Sequence, residues 1–138
     1  LMANEFARNI VDASLNQTDA ALPGADGTVY SDAFDLGAES YKGENYELEI
    51  AMPALTTTHL PNADTLTVNV CAGSTTTPTA VILGAVSVQT GAGGTGAAAN
   101  TVRVRLPSNC PQYVRAQFVA AGGTGDMSGE DAVVGLRF

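Results

Sequence analysis

The sequence predicts an all-β fold, a two-sheet antiparallel β-sandwich preceded by an extended N-terminal arm. Three observations predict it. Short runs with two-residue apolar alternation recur along the chain, clusters of Gly, Pro, Thr and Asn separate them, and seven such runs are evenly spread from Val29 onward. At 138 residues the chain forms one domain. That length buries about 70% of the unfolded surface without help from a metal or a disulfide.

Residues 1 to 28 form the arm: they are polar and alanine-rich, with PGADG (23 to 27) as a turn. Phe6, Ile10 and Val11 fall on one side of a short helix there, and no longer apolar stripe extends it. Residues 29 to 138 form the sandwich, through runs at 29 to 36, 46 to 52, 65 to 71, 81 to 88, 101 to 106, 113 to 120 and 132 to 138.

The second run, YELEIAM, places Tyr46, Leu48, Ile50 and Met52 on one face and Glu47 and Glu49 on the other, the pattern of a strand with one wet side. Val102, Val104 and Leu106 oppose Arg103 and Arg105 in the same way. Val114, Ala116 and Phe118 oppose Arg115 and Gln117, and the last run buries Val134, Leu136 and Phe138 while leaving Arg137 outside. Two sheets packed over these apolar faces satisfy every run. Jelly-roll and immunoglobulin-like connections are equally compatible with the pattern.

Gly91, Gly93 and Gly96 stand at the G-x-G-x-x-G spacing of a dinucleotide-binding turn, directly after the strand-like VILGAVSV. That turn must open a helix and needs an acidic residue about 20 positions on for the ribose. Here three alanines lead into the alternating NTVRVRL, and no Asp or Glu occurs between Asp64 and Asp126. No lysine follows the glycines, which excludes a P-loop, and the same AGGTG recurs at 121 to 125. The glycines serve turns, and no cofactor is expected.

The formal charge is −8 with six basic residues, which disfavours nucleic acid and anionic lipid as partners. No apolar run approaches the ~20 residues of a membrane span, and LMANEFARNIVDAS lacks the basic and apolar regions of a signal peptide, so the expectation is a cytoplasmically made chain. Cys71 and Cys110 could bridge as one pair, but without an export signal two reduced thiols are the expectation. Charged residues make up 14% of the chain against about 25% in ordinary domains, and Lys42 is the one lysine. Lysine is depleted where partners cover a surface, which points toward assembly.

Catalysis has little to work with. His59 is the one histidine and stands apart from any nucleophile motif, so no catalytic residue is expected. Asp126, Glu130 and Asp131 lack the spacing of a calcium loop, and no metal is expected. Glu47 and Glu49 resemble a glycosidase pair in spacing, but the chain has no Trp for a sugar platform. The charge distribution says more. Residues 1 to 64 carry 11 acids and two bases, whereas residues 65 to 138 carry three acids and four bases. Arg103, Arg105, Arg115 and Arg137 all project opposite their strand's apolar set. They either pair internally with Glu47 and Glu49, or form a patch that docks on an acidic surface of another subunit.

SDAFDLG (31 to 37), then YELEIAM, then RVRLPSNCPQYVRAQFVAAGGTG (103 to 125) and a closing strand, resemble the small head-stabilisation, or cement, proteins of tailed double-stranded-DNA bacteriophages. The resemblance covers roughly residues 29 to 138. It implies a jelly-roll sandwich that forms dimers or trimers, binds the major capsid protein on the outer surface of the mature head and clamps neighbouring capsomers. The expected location is the virion, and the expected partner-binding residues are Arg103, Arg105, Arg115 and Arg137 with Phe6, Ile10 and Val11 of the arm. An arm of ~28 residues reaches up to ~90 Å when extended, enough to cross a subunit boundary. The alternative expectation is a carbohydrate- or receptor-binding sandwich on a virion or cell surface; the four tyrosines are thin material for its aromatic platform.

Overall fold

The computed structural model describes residues 15–36, 46–123 and 125–137. Among the described residues nine strands form two antiparallel sheets: β1 (Asn16–Ala21), β2 (Gly27–Tyr30), β3 (Phe34–Asp35), β4 (Glu47–Met52), β5 (Thr65–Gly73), β6 (Val81–Thr90), β7 (Asn100–Arg105), β8 (Tyr113–Ala121) and β9 (Asp131–Arg137). Sheet A has the order β1-β9-β4-β7, and sheet B the order β2-β8-β5-β6 with β3 also paired to β8. The antiparallel partners are nested along the chain: β5 with β6, β4 with β7, β2 with β8, β1 with β9. No helix among the described residues is long and apolar enough to cross a membrane.

The alternating faces form the core between the sheets. Leu48 lies between Val104 and Leu136, and Ile50 between Val102 and Val134, in sheet A. Facing them, Leu66 pairs with Ala120, Val68 with Phe118 and Val70 with Ala116 in sheet B. Leu48, Ile50, Val68 and Phe118 are fully buried, each contributing about 1.5–3 kcal/mol by leaving water. Leu22, Leu60 and Met127 are buried with the same core.

Two elements differ from the sequence expectation. Asn16–Ala21, within the stretch expected as an arm, is an edge strand of the sandwich paired to β9. Its alternation is hidden because a bulge shifts the register between Gln17 and Ala20, leaving Ala20 as its one fully buried side chain. Residues 1–14 of the arm, with Phe6, Ile10 and Val11, lie outside the described residues, as does Phe138. The run expected at 29 to 36 is split into β2 and β3 by Ser31. Ser31 is buried, and its Oγ accepts the Ala116 N–H at 2.9 Å, where an unbroken strand would offer a backbone carbonyl.

The glycine-rich connection between β6 and β7 is a tight turn. Leu55 and Ala97 exchange backbone hydrogen bonds of 2.9 and 2.8 Å, which seat the turn on the segment after β4. Gly96 has φ +69°, and a β-carbon there would strike the Leu55 carbonyl oxygen, so the position excludes other residues on both counts.

Candidate partner-binding surface

β4 is an inner strand of sheet A, so its outward carboxylates are flanked on both sides. Glu47 stands opposite Arg105 of β7 and Arg137 of β9, and Glu49 opposite Arg103 and Gly135. The two oxygens of Glu49 are held by different arginines. Arg103 gives Nε and Nη2 to Oε2 at 3.2 and 2.7 Å, and Arg137 reaches across the strand to place Nη2 2.7 Å from Oε1. Glu47 lies 3.8 Å from Arg103 Nη1. The hydrogen bond from Arg103, followed by the charge of Arg137, holds the Glu49 carboxyl below its ordinary range, although partial burial works the other way.

Arg137 corrects the expectation of an outward, solvated side chain. It does leave the strand opposite Leu136, but only 8% of its side chain is exposed. Gly135 leaves a trough on the outer face, and the guanidinium occupies the space a side chain there would fill, next to Asn16 of the edge strand. Arg105 is different: it is exposed and, among the described residues, has no carboxylate partner.

The four arginines do not form one patch. Arg103, Arg105 and Arg137 belong to sheet A, whereas Arg115 lies on β8 of sheet B. Alternation reveals which face of its strand a residue takes, and is silent on which sheet the strand joins. Arg115 stacks on the Tyr30 ring, 3.8 Å from its centroid, and donates from Nε to the Pro78 carbonyl at 2.7 Å. The stacked pair takes up one face of Tyr30, and Tyr46 packs against the core.

No protein-family model matches this chain. No curated protein matches it either.

His59 and Asp126 fasten loops. His59 Nδ1 accepts the Thr56 N–H at 3.3 Å and lies 3.2 Å from Thr56 Oγ1, closing the turn that precedes Leu60. Glu130 is 3.7 Å from that nitrogen, beyond a direct hydrogen bond. Asp126 accepts from both the backbone N–H and the hydroxyl of Ser128, and these bonds lower its pKa. Among the described residues no three His, Cys, Asp or Glu side chains converge as a metal site. Cys71 and Cys110 are both buried, and Cys71 Sγ approaches the Thr79 carbonyl at 3.6 Å. A groove of about 580 Å³ between residues 54–57 and 94–98 is lined by Ala, Leu, Thr and Gly, with no titratable group.

Sequence reasoning missed the surface that sheet B presents. One outward row runs Thr28, Val119, Thr67, Val88 and the next Ala121, Thr65, Thr90. Both rows are uncharged, and the signal was present in the sequence as TLTVNV and VILGAVSVQT, two runs without a charged residue.

Proposed function

We propose that this chain is a structural virion protein, a cement protein that binds the outside of a phage head and clamps neighbouring capsomers. The observation that carries the reading is the nesting of strand pairs, β5–β6 inside β4–β7 inside β2–β8 inside β1–β9. A long hairpin rolled into two sheets is the connectivity of a jelly roll, an architecture used by viral capsid and lectin domains. The described residues of the segments that carry the resemblance to phage head-stabilisation proteins fall at and around β3, on β4 and on the stretch that begins in β7 and runs through β8.

The distribution of chemistry supports a binding role without turnover. Arg103 and Arg137 pair with Glu47 and Glu49 on sheet A, Asp126 and His59 fasten turns, and the groove offers no acid or base. Among the described residues Arg105 is the exposed cation without a carboxylate partner, and arginine's forked donors suit it to meet an acidic shell surface. Dimers or trimers of the chain, each touching two capsomers by modest contacts, hold the lattice because release at one site leaves the other engaged.

The test is stoichiometric. Gradient-purified heads carrying this chain should show it at a fixed ratio, of the order of one copy per shell subunit, and stripped heads should regain heat resistance when it is added back. Arg105→Glu should weaken rebinding. Absence from the heads, or heads equally fragile with and without it, refutes the reading and leaves receptor or carbohydrate binding as the function to test.

A further inference from the structure

Four strand edges bound the two sheets, and three of them are short and carry or adjoin charged residues, recognised protection against pairing with another chain. β1 has six residues, carries Asp19 and is broken by its bulge. β7 has six residues and displays Arg103 and Arg105. β2 and β3 have four and two residues, β3 contains Asp35, and Asp26 and Asp32 flank them. β6 has the least: ten residues, VILGAVSVQT, without a charge or a proline, and protected only by irregular pairing near its middle. It closes sheet B, with no strand bonded to its outer side among the described residues.

A second observation falls on the same strand. The large apolar side chains that stand exposed among the described residues are Val81 and Val88, each 48% accessible, both on β6. Between them the pairing with β5 shifts register twice, around Gly84 to Val86 and again between Leu83 and Val81. Asn69 Oδ1 accepts the Ala85 N–H at 2.7 Å, and Ala85 is held at φ +50°. The strand thus has two short flanks, each with an exposed valine, on either side of a fixed kink.

We propose that the β6 edge receives β6 of a second copy of this chain, antiparallel about a two-fold axis near Gly84 and Ala85. Such an axis exchanges the two flanks and carries Val81 of one copy toward Val88 of the other, so each exposed valine is covered by its counterpart. Charge favours a second copy as the occupant. The chain carries −8, and two copies repel unless they meet at a surface where no like charges face each other. β6 is uncharged throughout, and it offers nothing to select an acidic or a basic partner. Pairing through one strand lies at the small end of specific interfaces, below about 1,200 Å² in total, so the dimer dissociates reversibly on dilution. The inference concerns the isolated chain and does not rest on the capsid reading, although it gives that reading a two-fold building block.

Sedimentation velocity of the full chain over a wide concentration range tests it. The expected mass rises from 14.0 kDa toward twice that value, and Val88→Lys and Val81→Lys each weaken the association at least tenfold while keeping the wild-type circular dichroism spectrum. Both substitutions reduce the net negative charge, so weakened association cannot come from greater overall repulsion. A chain that stays monomeric at every concentration, a threefold mass, or lysine variants that associate like wild type would overturn the proposal. None of these results depends on shells, so failure here and failure of the capsid reading are separate.

Discussion

Arg137 donates from Nη2 to Glu49 Oε1 at 2.7 Å, and it does so lying over the backbone of Gly135, where any side chain would collide with the guanidinium. Alanine in place of glycine within a strand ordinarily stabilises by a few tenths to 1 kcal/mol. At this position the sign reverses. Gly135→Ala is expected to destabilise by about 1–3 kcal/mol, the range for overpacking, measured by urea unfolding. A neutral or stabilising result would mean that Arg137 moves aside without cost.

The same carboxylate makes stability depend on pH. The pKa of Glu49 is lowered from 4.5 in the folded chain, first by the Arg103 hydrogen bond and then by Arg137. The folded chain therefore holds this proton less tightly than the unfolded chain does. The stabilisation is complete above about pH 4.5 and is lost as pH falls through the lower, folded value. Comparing wild type with Glu49→Gln by denaturant unfolding should show a gap at neutral pH that closes in acid. A gap independent of pH would assign the effect to shape alone.

Ser31 replaces a backbone acceptor at the break between β2 and β3. Ser31→Ala leaves the Ala116 N–H buried without its partner on the central strand β8, at a cost of about 1–3 kcal/mol. Loss of the Ala116 amide's protection in hydrogen exchange, with the rest of β8 unchanged, would place the defect at that bond.

Both cysteines are buried, and burial raises the pKa of Cys71 despite the nearby charge of Arg115. The native chain is expected to react with a thiol reagent only at the rate at which it opens, and to yield two thiols at once in denaturant. Rapid labelling of either thiol under native conditions would contradict the packing described for it.

Much of the fold was legible because alternation is a direct imprint of a half-wet sheet. YELEIAM and YVRAQFVA show their buried faces without ambiguity, and both form strands within a residue or two of the expected bounds. Asn16–Ala21 was not legible, since an edge strand needs few apolar side chains and its bulge breaks the period. The arginines were legible only in part. Their outward direction is a property of one strand, but pairing depends on which strands become neighbours. Arg103 and Arg137 meet at Glu49 because β4 lies between β7 and β9, an arrangement that no local pattern encodes. The trough that hides Arg137 depends on a glycine whose role appears only when the neighbouring strand is in place.

The nested pairing also sets an order of assembly. β5 and β6 are joined by a short loop and can meet early, and each later pair closes a longer loop around those already formed. β9 stands between β1 and β4 in sheet A, so β1 has no partner in the sheet until β9 has left the ribosome and docked. A nascent chain lacking β9 would hold β4 and β7 as an incomplete sheet with an apolar face open to water, a state prone to aggregate. Folding is thus expected to wait for β9 and to be slow, as in other chains dominated by long-range strand pairs.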